Sequence, residues 1–387
     1  MNTALLRSEV QKFINEYNRD VTDLAFKGSP WDDISVQELI QQIESYAKCK
    51  EKLPTWHKAQ NIIYPPKLHI EQTSSEITAT YKASIVKGES LADITGGFGV
   101  DTYFFSEKFT SAHHFEQNQA LSEITQHNFQ QLGKSNVSFF SQDGIEGVKN
   151  HHYDVIYVDP SRRHTTKGKV FFLNDCEPNL VEHQDYLLKH CKTLLIKTSP
   201  MLDISVGLGE LKNVSEIYIV AIHNEVKELL WMVSKSASED ILIKTIHFTK
   251  EKKEEFQFNY HSETNNNYNY PLTYLYEPNA AIMKSGGFSK ICDAFSVYKL
   301  AQHSHLFTSV ELLEFPGRVF KIQSVIPYQK ATIKEFENSK ANISTRNFPE
   351  TVAQLKKKWK IKDGGDKYLF FTTLHNGEKV VLETSKV

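Results

Sequence analysis

"LADITGGFGVDT", residues 91–102, sets three glycines within four positions and an aspartate on either side. The apolar text before it reads as a short strand, and a helix follows. Glycine admits tight backbone bends and lets the main chain approach a ligand closely. A strand that ends in "DITGGFG" and runs into a helix therefore reads as a nucleotide-binding turn.

The text on either side alternates in the same way. "SAHHFE", "NVSFFSQD", "YDVIYVDP" and "TLLIKTSP" are apolar strands separated by helical or loop text, including "ALSEITQHNFQQLG", stopped at Gly133. A βαβα rhythm predicts a mostly parallel sheet with helices on both faces. "EIYIVAIHN" and "EVKELLWMVSK" meet at a short turn and predict an antiparallel last hairpin. A further hairpin is predicted over "ILIKTIHFTKEKKEEFQFNY".

Residues 1–72 show apolar spacing of helical period and predict an N-terminal helical domain, closed by the "YPPK" break at 64–67. "TSSE" at 73–76 has capping-box spacing, with Thr73 as N-cap. The sheet domain is expected over 73–262. The polar run "HSETNNNYNYP" reads as a linker, with a small α/β domain over 271–314 and another over 315–387.

The formal net charge of the 387 residues is −2, which announces neither nucleic acid nor membrane. Between Lys321 and Lys379, however, twelve Lys/Arg stand against six Asp/Glu, a local excess of +6. Four scattered cysteines without CxxC spacing exclude a zinc ribbon and a disulfide framework, and point to a reducing, cytoplasmic setting. No stretch is long and apolar enough for a membrane span. The histidine pairs at 113–114 and 151–152 lack completing ligand spacing, so no metal is expected.

The acids choose between cofactors. A dinucleotide turn needs a third glycine where this chain has Thr102. Asp93, Asp101, Asp143 and Asp159 at one sheet edge would repel a pyrophosphate but suit a cationic ligand. S-adenosylmethionine is such a ligand, with a sulfonium, an ammonium and no phosphate. Glu116, about twenty residues beyond the turn, is placed to meet ribose hydroxyls. Asp143 is placed to accept from an adenine amino group.

Asp93-x-x-Gly96-Gly97-x-Gly99, Glu116, Asp143-Gly144 and Asp159-Pro160, on successive strands, resemble the class I S-adenosylmethionine-dependent methyltransferases. Thr95 stands where that family often has its first glycine. The resemblance covers about 73–236. It implies a Rossmann-like sheet that binds the cofactor through Asp93, Thr95, Gly97, Gly99, Asp101, Glu116, Asp143 and Gly144.

"YVDPSRRH" at 157–164 ends the fourth strand, where such enzymes face their target. Pro160 holds Asp159 extended. The Asp159 side chain and the Pro160 carbonyl are then acceptors for a base N–H. Arg162 can stack on a base or hold a phosphate, with Arg163 beside it on the RNA side. Asp-Pro-x-Arg resembles the motif of several tRNA and rRNA base methyltransferases. "IKTSPMLD" at 196–203, just after Leu194, holds no cysteine, which disfavours covalent attack on a pyrimidine and favours transfer to a nitrogen.

In the tail, "ETVAQLKKKWK" predicts a helix with Val352, Leu355 and Trp359 inward, and with Lys356, Lys357, Lys358 and Lys360 mostly outward. Such a one-signed face suits a phosphate backbone. The region from about 315 to 387 resembles the C-terminal THUMP-like domain of a bacterial methyltransferase group, which implies tRNA or rRNA as partner. Two other readings stay open at this point. One is a small-molecule or protein methyltransferase whose tail only aids folding, the other an RNA-binding module with a vestigial cofactor pocket.

Overall fold

The computed structural model describes residues 1–162, 172–236, 240–262 and 267–387. Two compact units divide the chain, Met1–Ser215 with Trp231–Ala237, and Glu216–Leu230 with Ser238–Val387.

The first unit is built on five parallel strands: β1 (Ser90–Asp93), β2 (Ser111–Phe115), β3 (Val137–Phe140), β4 (Tyr153–Val158) and β5 (Cys191–Thr198). The central strands are apolar throughout. Leu91, Ala92, Val155, Ile156, Leu194 and Leu195 are all buried, as a sheet covered on both faces requires. β6 (Val214–Ile222) and β7 (Glu225–Val233) are joined by His223 and Asn224, both at positive φ, as a two-residue hairpin turn demands. The first seven strands stand in the order β3-β2-β1-β4-β5-β7-β6. The expected mostly parallel sheet with an antiparallel last hairpin is thus present.

The N-terminal region is helical as expected, with α1 (Ser8–Glu16), α2 (Val21–Lys27) and α3 (Val36–Lys52) around Leu5, Val10, Leu24, Ile34 and Leu39. It also supports the glycine turn. Trp56 and Tyr64 pack on Phe98, and Asn128 exchanges two hydrogen bonds with the Ile63 backbone. α4 (Glu76–Ile85) corrects one sequence reading. Its N-cap is Ser75, not Thr73, and the Glu76 carboxylate turns away to take the Thr55 N–H and hydroxyl. That leaves no return bond for a capping box, because Glu76 caps the neighbouring turn Pro54–Lys58 instead.

In the second unit, β8 (Leu242–Phe248) runs parallel to β6 and antiparallel to β9 (Lys253–Asn259). The unit also holds a second sheet. Its main strands are β10 (Tyr274–Pro278), β11 (Phe307–Ser309), β12 (Gly317–Pro327), β13 (Asn342–Arg346), β14 (Lys367–Thr373) and β15 (Lys379–Lys386). These run β11-β10-β12-β15-β14-β13, with the short strand Tyr298–Lys299 beside β11. Among the described residues no helix is long and apolar enough to cross a membrane.

Candidate functional site

The glycine turn joins β1 to α5 (Val100–Ser106). Each glycine has its own reason. Gly97 and Gly99 sit at φ of 55° and 76°. A Cβ at Gly96 would lie 2.3 Å from His114 Nε2, and one at Gly99 2.6 Å from the Thr125 side chain. Burial pushes His114 down to about 4, so the ring beneath the turn is neutral at physiological pH. A Cβ at Gly144 would meet the Ile94 carbonyl oxygen at 2.3 Å, which lets the turn after β3 close against the turn after β1.

These turns line a cavity of about 420 Å³ at the carboxyl edge of the sheet. It contains Asp93, Asp101, Glu116, Asp143 and Asp159, as the sequence suggested, and Glu177 as well. No lysine or arginine is among the described lining residues. Thr95, Gly97 and Gly144 are part of the wall. Space above Gly97 is open, the nearest atom to a Cβ there being 3.9 Å away. This cavity fits a cationic ligand with a ribose far better than it fits a pyrophosphate. The residues able to hold one are the Gly96–Gly97 backbone, Asp93, Glu116 and Asp143.

The acids are not equivalent. Asp93 is 1 % exposed and accepts from the Thr95 N–H at 3.1 Å and the Thr102 hydroxyl at 2.6 Å. Thr102, which breaks the dinucleotide pattern, is thus the partner of the first acid. Glu116 accepts the Gly97 N–H at 2.9 Å and the Asn118 N–H at 2.8 Å, which ties the second strand end to the turn. Asp143 caps Gly144–Gly147 through Glu146 N–H and takes the Gln117 amide at 2.5 Å.

Asp101, expected among the cofactor-binding acids, has a cation of its own. Its carboxylate faces Lys82, fully buried in α4, at 3.2 Å, and accepts from Ser74 and Tyr157 at 2.8 Å each. Its charge is already matched from within the protein. Lys82 was missed in the sequence, where the only signal was a lone cation in the small and apolar text "ITATYKASI".

Asp159 follows β4, and its N–H donates to the Thr95 hydroxyl at 2.7 Å. Thr95 therefore ties the turn after β1 to the turn after β4, a task no glycine could perform. Lys197 on β5 donates to Asp159 Oδ2 at 2.5 Å. Oδ1 takes no hydrogen bond among the described residues. Pro160 and Arg162 do not line the cavity. Arg162 is half-buried in a two-residue pairing of Ser161–Arg162 with Cys176–Glu177. Arg163 lies outside the described residues.

The tail lysines are far more balanced than their sequence implies. The helix α6 (Val352–Trp359) turns Leu355 and Trp359 inward, as expected. But Lys356 meets Asp363 at 2.5 Å, Lys358 meets Glu350 at 2.8 Å, and Lys360 meets Glu337 at 3.4 Å. The one-signed reading is corrected, because acids from flanking turns fold back onto the helix. Among the described residues no group of three His, Cys, Asp or Glu side chains is placed to hold a metal ion.

Burial pushes the Asp93 carboxyl up to about 7, opposed by the Thr102 and Thr95 hydrogen bonds, with the Asp101 and Asp159 charges adding to the rise. A carboxyl raised on folding contributes stability below its unfolded value near 4 and loses it as pH rises through about 7. A cationic ligand needs the ionised form. Affinity for one is expected to climb as pH rises, up to about tenfold per unit, and to level off above about 7. Calorimetric titration across that range checks this, with Asp93→Asn flattening the profile. A flat profile in the wild type would show that Asp93 stays ionised throughout.

A sheet ordered 3-2-1-4-5-7-6, with a glycine turn after its first strand and acids at the ends of the first four, defines a class I methyltransferase. A family model described as protein-L-isoaspartate(D-aspartate) O-methyltransferase matches residues 32–167. One described as a ferredoxin-like domain matches 274–316, and one described as THUMP domain-like matches 317–386. A search of curated proteins finds no match. A crystal structure of a "putative methyltransferase" from Porphyromonas gingivalis W83 is 30% identical, with a TM-score of 0.89, covering 100% of this chain and 98% of that one. An rRNA methylase from Streptococcus thermophilus is 18% identical, with a TM-score of 0.31, covering 41% of this chain and 94% of that one. The chain belongs to the family of the Porphyromonas protein, methyltransferases that end in a ferredoxin-like and a THUMP-like domain.

Proposed function

We propose that this protein transfers a methyl group from S-adenosylmethionine to a base nitrogen of tRNA or rRNA. The observation that carries the reading is the acid-lined cavity after β1–β4, free of lysine and arginine among its described lining residues. The cofactor, when bound, supplies an electrophilic methyl group. Glu116 and Asp143 hold its ribose and adenine, and Asp93 meets its charged end. Asp159 orients the incoming nitrogen, accepting its N–H at Oδ1 while Lys197 fixes Oδ2. The THUMP domain-like match over 317–386 supports RNA as the substrate. Residues 73–262 act as the methyltransferase domain and 315–387 as the RNA-gripping one, with 271–314 linking them.

Binding is tested by calorimetry with S-adenosylmethionine and with NAD. Tight NAD binding with no response to S-adenosylmethionine would end the reading. Glu116→Ala is expected to weaken S-adenosylmethionine by about 1.5–3 kcal/mol, since it removes a charged acceptor. An unchanged affinity would leave Glu116 as a tie for the Gly97 and Asn118 backbone alone. The substrate is found by mass spectrometry of nucleosides from tRNA and rRNA of a deletion strain. A second reading, a protein-methylating enzyme, is favoured by the isoaspartate methyltransferase match over 32–167. It predicts an unchanged nucleoside profile and methyl transfer to isoaspartyl peptides.

A further inference from the structure

The second unit holds a cavity of its own, again of about 420 Å³, whose wall sets two arginines beside two glutamates. At its centre is Glu277, the penultimate residue of β10, with a side chain only 6% exposed. Two arginines close on it. Arg318 stands opposite Glu277 in the β10–β12 ladder and gives its Nε and Nη2 to Oε2. Arg346 comes from the end of the edge strand β13 and gives its Nε and Nη2 to Oε1, at 3.1 and 2.8 Å. The approach is close by construction, since a Cβ at Gly317 would lie 2.2 Å from the Glu277 carbonyl oxygen.

One carboxylate cannot saturate two guanidiniums. Each arginine has five N–H donors, and only Nε and Nη2 are engaged on each. Both Nη1 groups make no hydrogen bond among the described residues. Both side chains are partly exposed, at 44% and 34%, and both line the cavity. The Arg318 guanidinium also lies 5.4 Å from the Phe320 ring centre, which restrains it.

The other acid of the wall does not compete for these donors. Glu254 accepts from Asn279 and from His247 Nδ1, each at 3.0 Å, and meets Lys252 at 3.4 Å. His247 Nε2 in turn accepts the Asn224 N–H at 2.8 Å, which leaves Nδ1 to face Glu254. The acids are satisfied by the protein, and the arginines keep donors to spare. Two oriented guanidiniums around a void match the oxygens of a tetrahedral anion.

We propose that Arg318 and Arg346 form a binding site for a phosphate group. Glu277 acts as a positioning residue that holds both forks toward the cavity. If the RNA reading above holds, the phosphate belongs to the substrate's backbone; otherwise it belongs to a small phosphorylated compound. The proposal rests on that reading only for the source of the phosphate.

The test titrates the full chain with inorganic phosphate. Removing the arginines alone would strand Glu277, so Glu277→Gln/Arg318→Gln/Arg346→Gln is compared with the wild type. The triple variant is expected to lose at least roughly tenfold in phosphate affinity, as loss of charge-assisted hydrogen bonds implies. Thermal unfolding confirms that it is folded. Displacement of phosphate by a short single-stranded RNA assigns the site to a phosphodiester. Phosphate binding that RNA leaves undisturbed assigns it to a small compound. Equal phosphate affinity in the two proteins, or none in the wild type, would show that the arginines serve only as counter-ions to Glu277. Methylation of RNA is read separately, so a failed methyl-transfer assay leaves the phosphate result standing.

Discussion

Lys82→Met is expected to destabilise the protein by about 3–5 kcal/mol, although it lies on a helix and changes neither length nor helical propensity much. Lys82 is fully buried and its ammonium meets Asp101 at 3.2 Å. Removing one partner of a buried pair leaves the other charged in a poorly hydrated site. The Ser74 and Tyr157 hydroxyls remain on Asp101, but hydroxyls solvate a carboxylate less well than a cation does. Adding Asp101→Asn to Lys82→Met removes the stranded charge and should recover most of the loss. The measurement is urea unfolding of the single and double variants, read as a coupling energy. A single-variant loss below about 1 kcal/mol would mean that Asp101 is hydrated from the cavity, and that the pair is a surface-like one. The double variant also reports on ligand binding. If Asp101 acts only through Lys82, affinity for S-adenosylmethionine stays near wild type once the fold is restored.

Asp159→Asn carries the largest expected effect on chemistry. The variant keeps the shape but replaces an acceptor oxygen with a donor and removes the charge that faces Lys197. An amide aimed at the target's N–H, or at the Lys197 ammonium, sets donor against donor. Single-turnover methyl transfer is expected to fall by about 10²-fold or more, the lower range for loss of a positioned base or acceptor. S-adenosylmethionine affinity should stay close to wild type, because the Thr95–Asp159 link uses the Asp159 backbone N–H. The assay uses the RNA identified from the deletion strain. Wild-type rates would reduce Asp159 to the counter-ion of Lys197 and leave orientation of the incoming base to other residues of the pocket.

Most of the site's ingredients are legible along the chain, and the reasons are local. Positive φ at Gly97 and Gly99, the strand-ending position of Asp93, Glu116, Asp143 and Asp159, and the short turn between β6 and β7 each depend on a handful of neighbouring residues. Side-chain periodicity and glycine punctuation record such features directly. The mostly parallel sheet with an antiparallel last hairpin was legible to the same extent, because alternating strands and helices admit few topologies.

What the order of residues could not reveal is which charges meet. Asp101 and Asp93 look alike in the text, both beside the same turn. Only packing gives Asp101 a lysine from the preceding helix and Asp93 a threonine from the following one. The tail lysines read as one-signed because the partners of three of them, Asp363 for Lys356, Glu350 for Lys358 and Glu337 for Lys360, come from turns that fold back. Glu277, Arg318 and Arg346, up to 69 residues apart, carried no signal at all. Backbone conformation is set by steric limits within a few bonds, so a sequence states it openly. Electrostatic pairing depends on distances of a few ångströms between side chains remote in the chain, and those distances exist only once the sheets and helices have packed.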